Sequence, residues 1–357
     1  MQRRQFIHLS SLAAGAAILP GCAAISSLTT GPLIERHLPP GYSGVAAVRK
    51  HADAPLVIKA AGLALREESQ ANMKETRFMI GSSTKWIAAV TVLRLVDMGT
   101  LDLGAPISRH LPELPAENGA VTLRQLLSHR SGIPNGLAEA LAKDSKVRDL
   151  EIGPVEAALR FAKGPLAFKP GERFDYSVVN YVLVAAIVER ATKKPFTESV
   201  QELVLGPAGV KDTGFAATGY EDEVGMAVGY AADGKRKTPS APPMVAASGT
   251  LYSTAADLVA IADAVYRKKL LSPAALRELS TVHDAAEHYA LGGRVQTVQT
   301  KEGARSLAWE TGAFGGYKSV LAYDLADGRA VVMLNNTDMT QTELGKIATA
   351  LFQSLGS

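Results

Sequence analysis

The sequence has little cysteine and little net charge. It contains one cysteine in 357 residues, so no disulfide within the chain can stabilise the fold. Lys and Arg number 38 and Asp and Glu 35, a net charge of +3 without a basic stripe. Nucleic-acid binding rests on many phosphate contacts, so this balance argues against a nucleic-acid partner. The 47% of hydrophobic residues predict a globular protein. The charge balance favours a small molecule as its partner.

Signatures of common cofactor sites are also absent from the sequence. There is no P-loop, no dinucleotide-binding glycine motif and no His-Glu-x-x-His zinc motif. The Gly-x-Ser-x-Gly elbow of α/β-hydrolases is missing as well. We therefore predict no cofactor, no metal ion and no α/β-hydrolase triad.

The first 22 residues are predicted to be an export signal. Arg3 and Arg4 precede an apolar stretch over 7–19, a pattern typical of a twin-arginine signal peptide. This stretch is too short to cross a bilayer comfortably. We expect an exported protein.

The end of this signal resembles a lipobox. The residues Leu19-Pro20-Gly21-Cys22 place the only cysteine of the chain where a lipobox requires it. Cys22 would then become the first residue, carry the lipid and anchor a periplasmic or cell-envelope lipoprotein to the membrane, with 23–40 as a tether. The alternative is an ordinary signal peptide cleaved near Ala24.

The remainder, 41–355, is predicted to be a single domain with strands at both ends and helices between them. Apolar runs over 45–50 and 56–65 predict a hairpin. Further strands are expected over 290–300, 306–311, 317–324 and 329–334, before a helix over 343–355. The sheet parts lie at about 41–80 and 245–355, and the helical part at about 81–244. We predict a mixed α/β (α+β) fold: one antiparallel sheet built from both chain ends, flanked by helices, with a mostly helical insertion.

One motif carries recognisable chemistry. Ser82 and Lys85 precede an apolar run over 87–98 that predicts a buried helix. Their spacing of three residues lets the amine reach the hydroxyl, and the helix N-terminus favours a developing negative charge. A buried lysine can lose its proton and act as a base. Although chance could produce this spacing, the position at a helix start predicts a nucleophilic serine.

The segments around this pair resemble the serine β-lactamase and penicillin-binding protein superfamily, in its class C β-lactamase and family VIII esterase branch. The matching segments, in family order, are 78–103 (beginning FMIGSSTKW), 121–134 (VTLRQLLSHRSGIP), 169–176 (KPGERFDY), 248–257 (SGTLYSTAAD) and 310–336 (beginning ETGAFGGY). The resemblance implies a β-lactamase/transpeptidase-like fold and a serine hydrolase with an acyl-enzyme on Ser82. It also implies acid–base roles for Lys85 and Tyr176, and an oxyanion hole made by the backbone N–H groups of Ser82 and Ala313.

Two positions depart from the β-lactamase pattern. Val178 stands where β-lactamases carry Asn, and Tyr176-Ser177-Val178 is similar to the Tyr-Ser-x of family VIII esterases. Glu310, followed by Thr311 and Gly312, replaces the cation of the Lys-Thr-Gly motif. A carboxylate there would oppose an anionic substrate and the deprotonation of Lys85. By the resemblance, we expect Val178, Glu310, Thr311 and Gly312 to contact the substrate.

Four arrangements of Glu310 are compatible with the sequence. Its carboxyl group is protonated, is neutralised by Arg305 or Lys318, binds a cationic part of the substrate, or turns away into a surface ion pair.

The sequence therefore predicts an exported hydrolase of a small-molecule ester, amide or peptide, with carboxylic esters as the first choice. A β-lactamase or D-Ala-D-Ala carboxypeptidase is the alternative within the family. A catalytically silent binding lipoprotein is the alternative from another class. The oligomeric state is not predicted.

Overall fold

The computed structural model describes residues 30–217 and 219–356, so the predicted export signal and Cys22 lie outside the described residues. The helices are α1 (30–37), α2 (Thr84–Asp97), α3 (Ala116–Gly119), α4 (Leu123–Leu127), α5 (Gly136–Lys143), α6 (Pro154–Phe161), α7 (Val178–Thr192), α8 (Phe196–Val200), α9 (Gly206–Ala208), α10 (Ala246–Gly249), α11 (Ala255–Tyr266), α12 (Pro273–Ser280) and α13 (Gln341–Ser354). The strands are β1 (Gly44–Arg49), β2 (Val57–Ala61), β3 (Leu63–Leu65), β4 (Gln70–Ala71), β5 (Phe78–Met79), β6 (Gly214–Phe215), β7 (Gly229–Tyr230), β8 (Arg236–Lys237), β9 (Leu251–Ser253), β10 (Arg294–Thr300), β11 (Gly303–Phe314), β12 (Tyr317–Asp324) and β13 (Ala330–Asn335).

The main sheet joins the two ends of the chain. Its strand order is β10-β11-β12-β13-β1-β2, and every neighbouring pair is antiparallel. The N-terminal β1 pairs with the C-terminal β13 along its whole length, from Gly44 opposite Asn335 to Arg49 opposite Ala330. The predicted fold class, an antiparallel sheet from both chain ends with an inserted helical region, is confirmed.

The hairpin at the N-terminal end is shorter than predicted. The run over 56–65 was expected to be one strand, but β2 ends at Ala61 and β3 pairs with β4 instead. Gly62 separates them with φ of +68°, and an added Cβ there would lie 2.7 Å from the Cα of Ser43. Only glycine fits this bend without strain, because it has no Cβ to clash.

Helices cover both faces of the sheet. Successive residues of β1 point to opposite sides, so Val45 and Ala47 face the core that contains α2 and α7, whereas Ala46 and Val48 face α13. Most residues of α2 and of α7 are buried, which explains the largely apolar character of both helices. Among the described residues, no helix combines the length and the apolar character needed to cross a membrane.

The predicted tether over 23–40 is wrong for its described part. Residues 30–37 form α1, and Ile34 is fully buried beside Leu351 and Phe352 of α13. Lys59 of β2 also pairs with Glu35 at 2.6 Å. An apolar side chain that packs on the second core makes this segment part of the folded domain rather than a free linker.

Candidate active site

Ser82 lies in a tight turn that packs directly on strand β11. The turn is a 3-10 helix over Gly81–Ser83 that leads into α2. Gly81 has φ of +53°, and an added Cβ there would lie 2.6 Å from the backbone nitrogen of Ala313. A Cβ on Gly312 would lie 1.7 Å from the carbonyl oxygen of Ile80. The two glycines therefore allow the serine turn and the strand to approach backbone to backbone.

The structure brings Ser82, Lys85 and Tyr176 together. The Tyr176 hydroxyl donates a hydrogen bond to Ser82 Oγ at 2.8 Å, and Lys85 Nζ lies 3.4 Å from the same oxygen. Lys85 Nζ also donates to the carbonyl oxygen of Ser248 at 2.6 Å. A nucleophile with two proton-carrying groups in reach is the arrangement that covalent catalysis requires.

Lys85 is held in an aromatic surrounding without a carboxylate partner. Its side chain is 1% exposed, and Nζ lies 5.0 Å from the ring centre of Tyr176 and 5.4 Å from that of Tyr181. Among the described residues, no acidic side chain lies within ion-pair distance of Nζ. Ring faces and a carbonyl oxygen therefore fix the position of the amine.

The ring of His129 packs against the ring of Tyr176 and helps to position it. The two ring centres are 4.3 Å apart, and His129 Nδ1 accepts the backbone N–H of Ser177 at 3.2 Å. Asn180 Nδ2 lies 3.1 Å from the same nitrogen. Burial, aided by the charge of Lys85, lowers the pKa of His129 well below its usual value, so the ring stays neutral and serves as a hydrogen-bond partner.

Glu310 is buried beside the serine. It is 3% exposed, and an added Cβ on Gly293 would come within 2.0 Å of its Oε2 atom. Burial raises the pKa of Glu310 to about 8, and the positive charge of Arg294 only partly opposes this effect. Near neutral pH the carboxyl group of Glu310 is therefore mostly protonated.

These findings decide between the arrangements expected for Glu310. Arg305 pairs with Asp324 and Asp327, and Lys318 pairs with Asp338 at 3.0 Å, so neither neutralises it. The surface ion pair is wrong, because the side chain is buried and no ion pair to it exists among the described residues. The protonated form and a cationic ligand are the arrangements that remain.

Two clefts meet at Ser82. The first, called the polar cleft, has a volume of about 190 Å³. The second, called the apolar cleft, has a volume of about 280 Å³. Ser82, Tyr176 and Ala313 line both of them. Apart from these three, the polar cleft is lined by Tyr289, Gly292, Gly293, Arg294, Trp309, Glu310, Thr311, Gly312 and Gln341. The apolar cleft is lined by Lys85, Asn135, Leu137, Ala138, Leu141, Val178, Val245, Ser248, Gly249, Thr250 and Phe314.

The predicted substrate contacts divide between these clefts. Glu310, Thr311 and Gly312 lie in the polar cleft and Val178 in the apolar one. Sequence reasoning missed Gly293, which packs against the carboxyl group of Glu310, and Arg294, whose positive charge opposes the rise in the pKa of Glu310. Across the described residues, no group of three or more His, Cys, Asp or Glu side chains is placed to hold a metal ion.

A family model described as Beta-lactamase matches residues 34–354. The chain belongs to the beta-lactamase family. Esterase EstB of Burkholderia gladioli is 36% identical over 209 residues, which are 55% of this chain and 52% of EstB. The chain thus matches about half the length of EstB. Membership of the beta-lactamase family, together with an esterase relative, supports a hydrolase.

Two solved structures share the fold of this chain. A penicillin-binding protein from Bacillus halodurans superposes with a TM-score of 0.77 at 27% identity, covering 90% of this chain and 98% of that one. The D-amino acid amidase of Ochrobactrum anthropi SV3 superposes with a TM-score of 0.73 at 22% identity, covering 92% and 98%. The amidase likeness concerns the fold alone.

Proposed function

We propose that this chain hydrolyses carboxylic esters through an acyl-enzyme on Ser82. The observation that carries the proposal is the position of Ser82 Oγ, 2.8 Å from the Tyr176 hydroxyl and 3.4 Å from Lys85 Nζ, where the two clefts meet. A substrate that spans both clefts places its carbonyl carbon at this oxygen. The name of the relative EstB supports an ester as the substrate.

The proposed reaction has two parts. Ser82 Oγ attacks the ester carbonyl carbon while its proton passes to Lys85 Nζ, directly or through Tyr176. The oxyanion faces the N–H groups of Ser82 and Ala313, and its collapse expels the alkoxide, which takes the proton and leaves as the alcohol. Water then adds to the acyl-enzyme by the same route and releases the carboxylic acid.

Two residues favour esters over β-lactams. Val178 offers no amide to a β-lactam side chain, and it lies among apolar side chains that suit an alkyl or aryl group. Glu310, protonated or ionised, cannot hold the carboxylate of a β-lactam as a cation would. The apolar cleft therefore takes the hydrocarbon part of the ester.

The experiment compares hydrolysis of a p-nitrophenyl acyl ester series and of nitrocefin by the soluble domain and by its Ser82→Ala variant. Ester turnover that disappears in the variant, with little nitrocefin cleavage, is the expected result. Fast Ser82-dependent nitrocefin turnover would instead favour a β-lactamase, and release of D-Ala from a D-Ala-D-Ala peptide a carboxypeptidase. No Ser82-dependent activity on any of them would contradict the hydrolase and favour a silent binding protein.

We further propose that the protein is exported and anchored by lipid on Cys22. The sequence Leu19-Pro20-Gly21-Cys22 and the preceding Arg3-Arg4 pair support this, and they lie outside the described residues. In a producing cell, Cys22→Ser should move the protein from the membrane fraction to the soluble fraction. An unchanged membrane fraction would contradict the anchor.

A further inference from the structure

Glu310 has no partner within the described part of the protein. Its carboxyl group makes no hydrogen bond or ion pair with any described residue, although the side chain is 3% exposed and lines the polar cleft. A buried ionisable group without a partner is costly, and proteins retain such groups chiefly where function uses them.

The carboxyl group of Glu310 has Gly293 packed against it and lines the polar cleft. Gly293 packs against it so closely that a Cβ would come within 2.0 Å of Oε2. The titratable groups that face it are Arg294 of β10, Tyr289 before that strand, Tyr181 of α7 and Tyr266 of α11. Burial raises the pKa of all three tyrosines well above the usual value, so they remain neutral.

The only cation among these groups is already engaged. Arg294 Nη2 pairs with the Glu287 carboxylate at 3.0 Å, and Arg294 Nε donates to the Glu287 carbonyl oxygen at 3.1 Å. Its guanidinium group lies outside ion-pair distance of Glu310. A positive charge that stabilises the ionised form of Glu310 would therefore have to come from a molecule that enters the polar cleft.

We propose that the polar cleft binds an ammonium group of the substrate on the Glu310 carboxylate. The substrate class is then an ester whose acyl or alcohol part carries a primary amine, with its hydrocarbon part in the apolar cleft. Ammonium and carboxylate form charge-assisted hydrogen bonds, which are strong where water is excluded. This inference rests on the proposed hydrolase and adds its specificity.

Binding should depend on pH. The empty cleft holds a protonated carboxyl group at pH 6 and 7, because burial raises the pKa of Glu310 to about 8. An alkylammonium ion stays charged over this range, so its binding expels one proton from the site. The KM for an ammonium ester should fall about tenfold for each pH unit from 6 toward 8 and then level off.

The experiment uses matched esters that differ only in replacing ammonium by methyl. Benzyl 3-aminopropanoate and benzyl butanoate probe the acyl side; the butanoates of 4-aminobutanol and of pentan-1-ol probe the alcohol side. For one of the pairs, the kcat/KM of the ammonium ester should exceed that of its isostere at least tenfold at pH 8. Glu310→Gln, which keeps the shape and removes the charge, should abolish this ratio and its pH dependence. Glu68→Gln, on an exposed turn outside both clefts, should keep them.

A binding measurement separates failure of this inference from failure of the hydrolase. Calorimetry with butylammonium chloride, and with butan-1-ol as the neutral probe, is performed on Ser82→Ala, with and without Glu310→Gln. Ester turnover without an ammonium preference at pH 8 would overturn the ammonium site and leave the hydrolase standing. Butylammonium binding that needs Glu310, with no turnover of any ester, would overturn the hydrolase alone. Neither turnover nor binding would overturn both.

Discussion

At the scale of single residues, Glu310 is a titratable residue that is almost completely buried, so its ionisation affects stability as well as binding. Burial raises its pKa to about 8 in the folded protein from an ordinary 4.5. Between these values the folded state holds a proton that the unfolded state has released. The stabilising contribution of the neutral carboxyl group is therefore complete below pH 4.5 and is lost as pH rises through 8.

The direction of this pH dependence gives a prediction for Glu310→Gln, whose amide does not titrate. The free energy of unfolding of the wild type, minus that of the variant, should decrease by about 1 kcal/mol for each pH unit between 5 and 8. Urea unfolding at several pH values measures this difference, in which the shared titrating groups cancel. The control, Glu68→Gln, makes the same substitution at an exposed position and gives the baseline for the comparison. A flat difference for Glu310→Gln would mean that its carboxyl group is already ionised in the folded protein at pH 5.

What the sequence reveals of the site depends on how far apart its residues are in the chain. Ser82 and Lys85 are three residues apart at a helix start, so local spacing was enough to predict their contact. The resemblance led to Tyr176. The carbonyl of Ser248 that holds Lys85, and Gly293 against Glu310, follow only from tertiary packing. The spacing of residues in the sequence does not predict which distant backbone carbonyl will accept a hydrogen bond from a side chain.

At the scale of elements, the position of the nucleophile depends on the contact between the turn Gly81–Ser83 and the sheet. Ser319 of β12 connects them: its hydroxyl donates to the carbonyl oxygen of Ile80 at 2.8 Å and lies 3.1 Å from Ser83 Oγ. Ser319 is 1% exposed, so water cannot easily replace these bonds.

The prediction is that Ser319→Ala lowers the free energy of unfolding by about 1 to 2 kcal/mol. It should also reduce kcat of ester hydrolysis by about tenfold with a smaller change in KM, because a displaced turn misplaces the Ser82 oxygen. Urea unfolding and steady-state kinetics are the measurements. Ser306→Ala on the exposed part of β11 is the matched control and should change neither. An unchanged kcat in Ser319→Ala would show that the turn holds its position without this bond.

Element prediction from sequence worked where alternation and turns agree, and failed where one backbone angle decides. The expected strand over 317–324 coincides with β12, and the expected helix over 343–355 overlaps α13. The run over 56–65 is apolar on both sides of Gly62 apart from Lys59, so its composition does not reveal the break at that glycine. The positive φ of Gly62 follows from the packing of Ser43 against this glycine, which the sequence alone does not show.

At the scale of the whole molecule, the fold closes by bringing its two chain ends into one sheet, and α1 extends that closure. The strands β1 and β2 at one end and β10 to β13 at the other form a continuous layer. On the face of this layer opposite α2 and α7, α1 and α13 supply Ile34, Leu351 and Phe352 to a shared core. Because α1 contacts the C-terminal helix, the N-terminal segment contributes to the stability of the domain as a whole.

The prediction at this scale is that Ile34→Ala lowers the free energy of unfolding by about 2 to 4 kcal/mol, since it removes a fully buried side chain from this core. A tether would give no measurable change. Arg36→Ala, on the exposed face of the same helix, is the control and should stay within about 0.5 kcal/mol of the wild type. Urea unfolding with an unchanged m-value checks both variants. Equal stabilities for Ile34→Ala and the wild type would mean that α1 adds nothing to the folded domain and that residues up to 40 act as a linker after all.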